Sequence, residues 1–157
     1  MKIYDCFMFF DEEMLLDLRL NIMNKYVDKF VITEATYTHN GKPKKLIFDI
    51  NKFPKFKDKI IYNVVEKEPN NIDKINKDDN EETIGNKLIH NSIKRENFQR
   101  NCIEKGLTKA DSNDMILISD LDEIPNLEEN NLNNIKNKLI FFKQKLFYYN
   151  FKLIKIS

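Results

Sequence analysis

Met115-Ile116-Leu117-Ile118-Ser119-Asp120-Leu121-Asp122-Glu123-Ile124-Pro125 is the stretch on which the reading of the fold turns. Four consecutive apolar residues are the pattern of a short strand covered on both faces, because a strand wetted on one side alternates apolar with polar. The run ends in Asp120, Asp122 and Glu123, three acids in four residues. In sheets of parallel strands joined through helices, ligands gather beyond the carboxyl ends of the strands. A buried strand that delivers carboxylates at that end reads as one edge of a ligand site.

Outward from this point the chain alternates in the same way. A helix over about Ile84 to Lys105 comes before it, with Gly106 expected as its C-cap. Residues 67–82 are almost wholly polar and are expected to form a mobile loop. Three more buried strands are predicted over 2–9, 30–34 and 59–66. Between the first two, Asp11, Glu12 and Glu13 offer an N-cap and an acidic first turn for a helix with Leu15, Leu18, Ile22 and Tyr26 at helical spacing. Downstream, a helix from Leu127 to Leu139 and a strand-like tract from Ile140 to Ile156 are expected. The order predicts an α/β protein, an αβα sandwich around a mostly parallel sheet, in a single domain over 1–157.

Composition supports a folded domain and narrows its partners. The chain is 41% hydrophobic and 32% charged, with 12 Phe and 6 Tyr, a globular rather than a disordered profile. A chain of 157 residues buries roughly 70% of its unfolded surface and folds without disulfides. Cys6 and Cys102 stand in apolar contexts and read as buried thiols. Lys+Arg total 26 against 25 Asp+Glu, so the basic excess that nucleic-acid binding requires is missing. Lys, Asn and Ile share A/T-rich codons, which leaves the lysine clusters uninformative and makes Arg19, Arg95 and Arg100 stand out. No signal-peptide pattern opens the chain, and no apolar run approaches the roughly 20 residues of a membrane span. A soluble, cytoplasmic protein is the expectation.

Two carboxylates one residue apart repel each other unless a cation offsets them, and Mg²⁺ or Mn²⁺ suits their hard oxygens. A substrate diphosphate would complete the coordination shell, and the metal would neutralise charge on the departing group. The competing reading is an acidic strand-end turn in which Asp120 caps the next helix.

The blocks around this motif resemble glycosyltransferase family 17. The resemblance rests on Arg95-Glu96-Asn97-Phe98-Gln99-Arg100-Asn101 and on Asp114 through Pro125. Ile3 through Glu12, Asp17-Leu18-Arg19-Leu20, Val31 through Ala35 and Gly41-Lys42-Pro43-Lys44 add to it, covering almost all of 2–126. It implies a GT-A-like, Rossmann-like fold, a UDP-GlcNAc donor, Mn²⁺ (or Mg²⁺), and inverting transfer of N-acetylglucosamine to a mannose-containing, N-glycan-type acceptor. By the same resemblance Asp120 contacts the donor's ribose or sugar, and Asp122 ligates the metal with Glu123 as a lesser candidate. Arg95 or Arg100 meets the diphosphate or sugar, against surface pairing with Glu96 or Glu104. Glu34 reaches the base or ribose, against a role as a loop anchor. His39 and His90 are expected to be ordinary polar residues.

Family members continue well beyond the Asp-x-Asp, so the acceptor-binding C-terminal region and the catalytic base are expected to be missing here. The partners that follow are a nucleotide-sugar donor, a glycan acceptor, and a second copy or a separately encoded C-terminal half. A catalytically incomplete nucleotide-sugar-binding module is the alternative function. A haloacid-dehalogenase-type phosphatase also carries Asp-x-Asp after a strand, but after its first strand and before Thr or Val. Here the motif follows the fourth predicted strand and precedes Glu123.

Overall fold

The four apolar runs become four strands: β1 (Ile3–Phe9), β2 (Lys29–Ala35), β3 (Ile60–Val65) and β4 (Met115–Ile118). They form one sheet in the order β3-β2-β1-β4, and every pairing is parallel. Helix α1 (Glu13–Met23) joins β1 to β2, and helix α2 (Glu81–Asn101) lies between β3 and β4. This is the expected α/β fold of GT-A-like, Rossmann type. A computed structural model describes residues 1–129, 132 and 139–143 of the chain. It divides into two compact units, Met1–Asp122 and Glu123–Ser157, and all of these elements belong to the first. The helix expected over 127–139 and the tract over 140–156 fall mostly outside the described residues.

Both faces of the sheet are covered, which is why β1 and β2 lack alternation. Tyr4, Cys6 and Val31 share one face with Ile103, from the 3₁₀ turn Cys102–Leu107 that follows α2. On the other face Asp5 and Phe7 meet Arg19 of α1. The first strand and the second are the buried centre, with burial from Tyr4 to Phe7 and from Phe30 to Ala35. The fourth strand is an edge among the described residues, and Ile118 is 54% exposed. A fully buried β4 was the expectation; among the described residues its outer edge has no strand beside it.

Helix α1 turns a different face inward from the one its apolar spacing suggests. Leu16, Arg19, Leu20 and Met23 are buried, whereas Leu18 and Ile22 are exposed. The helix begins at Glu13, and Glu12 bends its carboxylate back onto the backbone N–H groups of Phe10 and Asp11. Asn80 caps α2 by accepting from the Thr83 backbone N–H at 2.8 Å, with Glu81 and Glu82 favourably placed in the first turn.

Gly106 does not end α2 as a cap. The helix stops at Asn101, and Gly106 sits in the following 3₁₀ turn at a negative φ. A Cβ there would lie 2.4 Å from Val31 Cγ1 and 2.8 Å from Asn63 Nδ2, so the turn packs directly on the sheet. Residues 67–80 contain no helix or strand, yet they are tied to α2. Asn91 exchanges two hydrogen bonds with the backbone of Asp73, and Lys94 and Lys87 pair with Asp73 and Asp79.

Candidate functional site

Because all four strands run the same way, their carboxyl ends share one edge, and a cavity of about 790 Å³ opens there. That volume lies within the ordinary range for small-molecule sites. Met8, Phe9 and Phe10 line it where β1 ends, with Glu12 and Leu15 from the start of α1. Thr38, His39 and Asn40 come from the loop after β2, and Ser92, Glu96 and Gln99 from α2. Asp120, Leu121 and Asp122 close the β4 side.

The Asp-x-Asp turn is held from inside and open outside. Leu121 is buried at 6% exposure, while the Asp120 side chain is 54% exposed and Asp122 is exposed. Beneath it, Arg19 donates to the backbone carbonyls of Asp120 (2.6 Å) and Leu121 (3.1 Å) and to Ser119 Oγ (2.7 Å). It also pairs with Asp5, at 3.0 and 2.7 Å, in a fork-to-fork pair with neither side chain exposed.

Of the residues singled out from sequence, Asp120 and Asp122 face the cavity together. Arg100 does not line it but bonds two residues that do, Asp120 Oδ1 at 2.9 Å and Glu96 Oε1 at 3.1 Å. Burial lowers the Arg100 pKa, but the hydrogen bonds it donates to Asp120 and Glu96 outweigh this and raise the value above the ordinary one. Arg95 is turned away from the carboxylates. It pairs with Glu68 at 2.8 Å, donates to the His39 carbonyl at 3.3 Å and packs against Gly41, which has a φ of +83° and where a Cβ would lie 2.7 Å from Arg95 Nη2. Through that packing Arg95 supports the loop that supplies Thr38, His39 and Asn40.

Glu34 is fully buried and acts as an anchor in this structure. Its carboxylate accepts from Lys44 Nζ, from the backbone N–H groups of Ile47 (2.8 Å) and Phe48 (3.1 Å), and from Tyr62 Oη (2.7 Å). Burial, then the hydrogen bond to Glu34, raises the Tyr62 pKa. Glu123 begins the second unit.

Sequence reading missed Glu12, Glu96, Gln99 and the placement of His39. Gln99 is 4% exposed; it donates to the Thr33 carbonyl at 3.0 Å and accepts from His39 Nε2 at 3.3 Å. Ser92, Glu96 and Gln99 recur at helical spacing on the cavity face of α2. That periodicity of polar residues was the available signal.

Among the described residues no three His, Cys, Asp or Glu side chains form a metal-binding group. Asp120 and Asp122 are two hard oxygen donors on one cavity, which fits a divalent cation that would need further oxygen donors from elsewhere.

No curated protein and no solved structure matches this chain. Among the described residues no helix is long and apolar enough to cross a membrane. The sequence profile of glycosyltransferase family 17 matches residues 1–155, nearly the whole length, and includes every side chain that lines the cavity. The parallel sheet, the cavity at its carboxyl edge and this match lead to one statement: the chain belongs to glycosyltransferase family 17.

Proposed function

We propose that the cavity binds UDP-GlcNAc with Mn²⁺ or Mg²⁺, and that the chain takes part in inverting transfer of N-acetylglucosamine to a mannose-containing glycan. The observation that carries this reading is the pairing of Asp120 and Asp122 on one cavity wall at the carboxyl edge of a parallel sheet. Glycosyl transfer itself is the activity of the family.

When bound, the cation supplies neutralisation of charge on the leaving nucleoside diphosphate. Asp122 and Asp120 would hold it. Arg100 is a planar fork beside Asp120 and suits phosphate oxygens as well as it suits the carboxylate. Phe9, Phe10 and Leu15 give the cavity an apolar wall that excludes water from one side. Thr38, Asn40, Ser92 and Gln99 bring neutral polar groups of the kind that orient hydroxyl-rich ligands.

The test is an assay with UDP-GlcNAc, Mn²⁺ and a mannose-terminated glycan, following UDP release and glycan mass together. Metal-dependent UDP release or transfer supports an enzyme. Metal-dependent binding without either supports a nucleotide-sugar-binding module. Absence of metal-dependent binding would remove the site assignment altogether.

A further inference from the structure

We propose that Arg19, locked by Asp5, is the positioning residue that presets Asp120 and Asp122 for a single divalent cation. The proposal rests on the reading of those two carboxylates given above.

A guanidinium with no exposure is unusual, and a buried ion pair is weak evidence for stability. Apolar residues of similar volume would fill the space between β1 and α1 as well. What an apolar pair cannot do is bind three acceptors of a turn. Arginine has five N–H donors in a rigid fork. Two contacts go to Asp5, on the neighbouring strand, and three go to Ser119, Asp120 and Leu121. The guanidinium Cζ lies over the Phe7 ring, 4.6 Å from its centroid, which adds a cation–π contact to these bonds.

The two carbonyls it grips belong to the peptide planes on either side of Leu121. Since each peptide unit is planar, fixing those oxygens also fixes the N–H of Leu121 and of Asp122. The Cα atoms of Asp120 and Asp122 are thereby set relative to each other before any ligand arrives. The buried Leu121 side chain holds the same turn from below. Two like charges are kept on adjacent outward positions at a fixed spacing, which an unrestrained turn would relax by rotating them apart.

The experiment compares three full-length chains: the unaltered one, Asp5→Leu/Arg19→Met, and Arg19→Lys. The double variant replaces the ion pair by apolar residues of similar volume. Arg19→Lys keeps a cation beside Asp5 but lacks the fork, and it decides the question if the double variant does not fold. Far-UV circular dichroism and melting establish folding, and UDP binding is then titrated against Mn²⁺. The expected result for a folded variant is a 10- to 100-fold rise in the Mn²⁺ concentration needed for UDP binding, the usual effect of losing a group that orients metal ligands. UDP affinity in EDTA should be unchanged, which a general loss of structure would not produce. Metal-dependent UDP binding within twofold of the unaltered chain would overturn the positioning role alone. Metal-independent UDP binding by the unaltered chain would overturn the reading of the site, and this proposal with it.

Discussion

The Arg100 guanidinium lies 2.9 Å from Oδ1 of Asp120, bridging α2 to the turn after β4 across 20 positions of sequence. A partly exposed pair of this kind contributes at most about 1 kcal/mol to stability. Its value lies in where it puts a cation that stays protonated, beside the wall where a diphosphate is proposed to sit.

Arg100→Ala is therefore expected to lower UDP affinity in Mn²⁺ on the order of tenfold, the loss of one charge-assisted contact. The melting temperature should move little. Calorimetry beside a thermal melt checks both, and an unchanged UDP affinity would place Arg100 outside the donor site.

Asp122→Ala should abolish the metal dependence. Titrated with UDP in Mn²⁺, the variant is expected to behave as the unaltered chain does in EDTA. Equal affinity in all three measurements would show that Asp122 holds no metal.

Glu34→Gln is expected to act on stability. The carboxylate accepts from four donors at a fully buried position, and breaking such an arrangement costs about 3 kcal/mol or more. Urea unfolding should show an earlier midpoint, with UDP affinity of the folded protein retained. A variant of ordinary stability with weak UDP binding would return Glu34 to the nucleotide pocket.

Acid should release the segment around Asp73 from α2. A hydrogen bond from Lys94, ahead of the smaller charge effects, holds the Asp73 pKa below its ordinary 3.8, and Lys87 does the same for Asp79. A depressed carboxylate stabilises the folded state above its unfolded pKa, and that contribution is lost as pH falls through the folded value. Amide exchange over 70–80 should thus be steady from pH 7 to about 5 and rise below about 4, where ordinary carboxylates protonate. Exchange independent of pH after correction for its intrinsic rate would show that these pairs do not hold the segment.

How much of this was legible in advance depended on whether period or pairing carried the information. β1 and β2 announce themselves, because a strand covered on both faces is apolar along most of its length. The Asp120–Asp122 turn was equally plain, since its charges follow such a strand. Arg19 was not. Counting apolar residues on α1 picks Leu15, Leu18 and Ile22, while the buried face is Leu16, Arg19, Leu20 and Met23. A charge inside a core is invisible to periodicity; the clue was its complement, Asp5, in the middle of an otherwise apolar strand. Gly106 misled for a related reason. Its position suggested a cap, but the constraint is the Val31 side chain, remote in sequence. Glu34 carried both readings from the outset, and only the 44–62 segment, folded over it, shows which donors it meets.

The strand order carries a consequence for how the protein is made. β1 leaves first in synthesis, yet one of its neighbours is β4, and Lys2 at its edge bonds Asp114, 112 residues later. Contacts so remote in sequence close slowly, because the entropy of a long loop is lost before any pairing repays it. The turn that Arg19 grips lies directly after β4, 100 to 102 residues beyond Arg19 itself. The last of the four strands to be synthesised carries the Asp-x-Asp with it. The sheet and the cavity wall at its carboxyl edge are thus completed by one and the same late-synthesised segment.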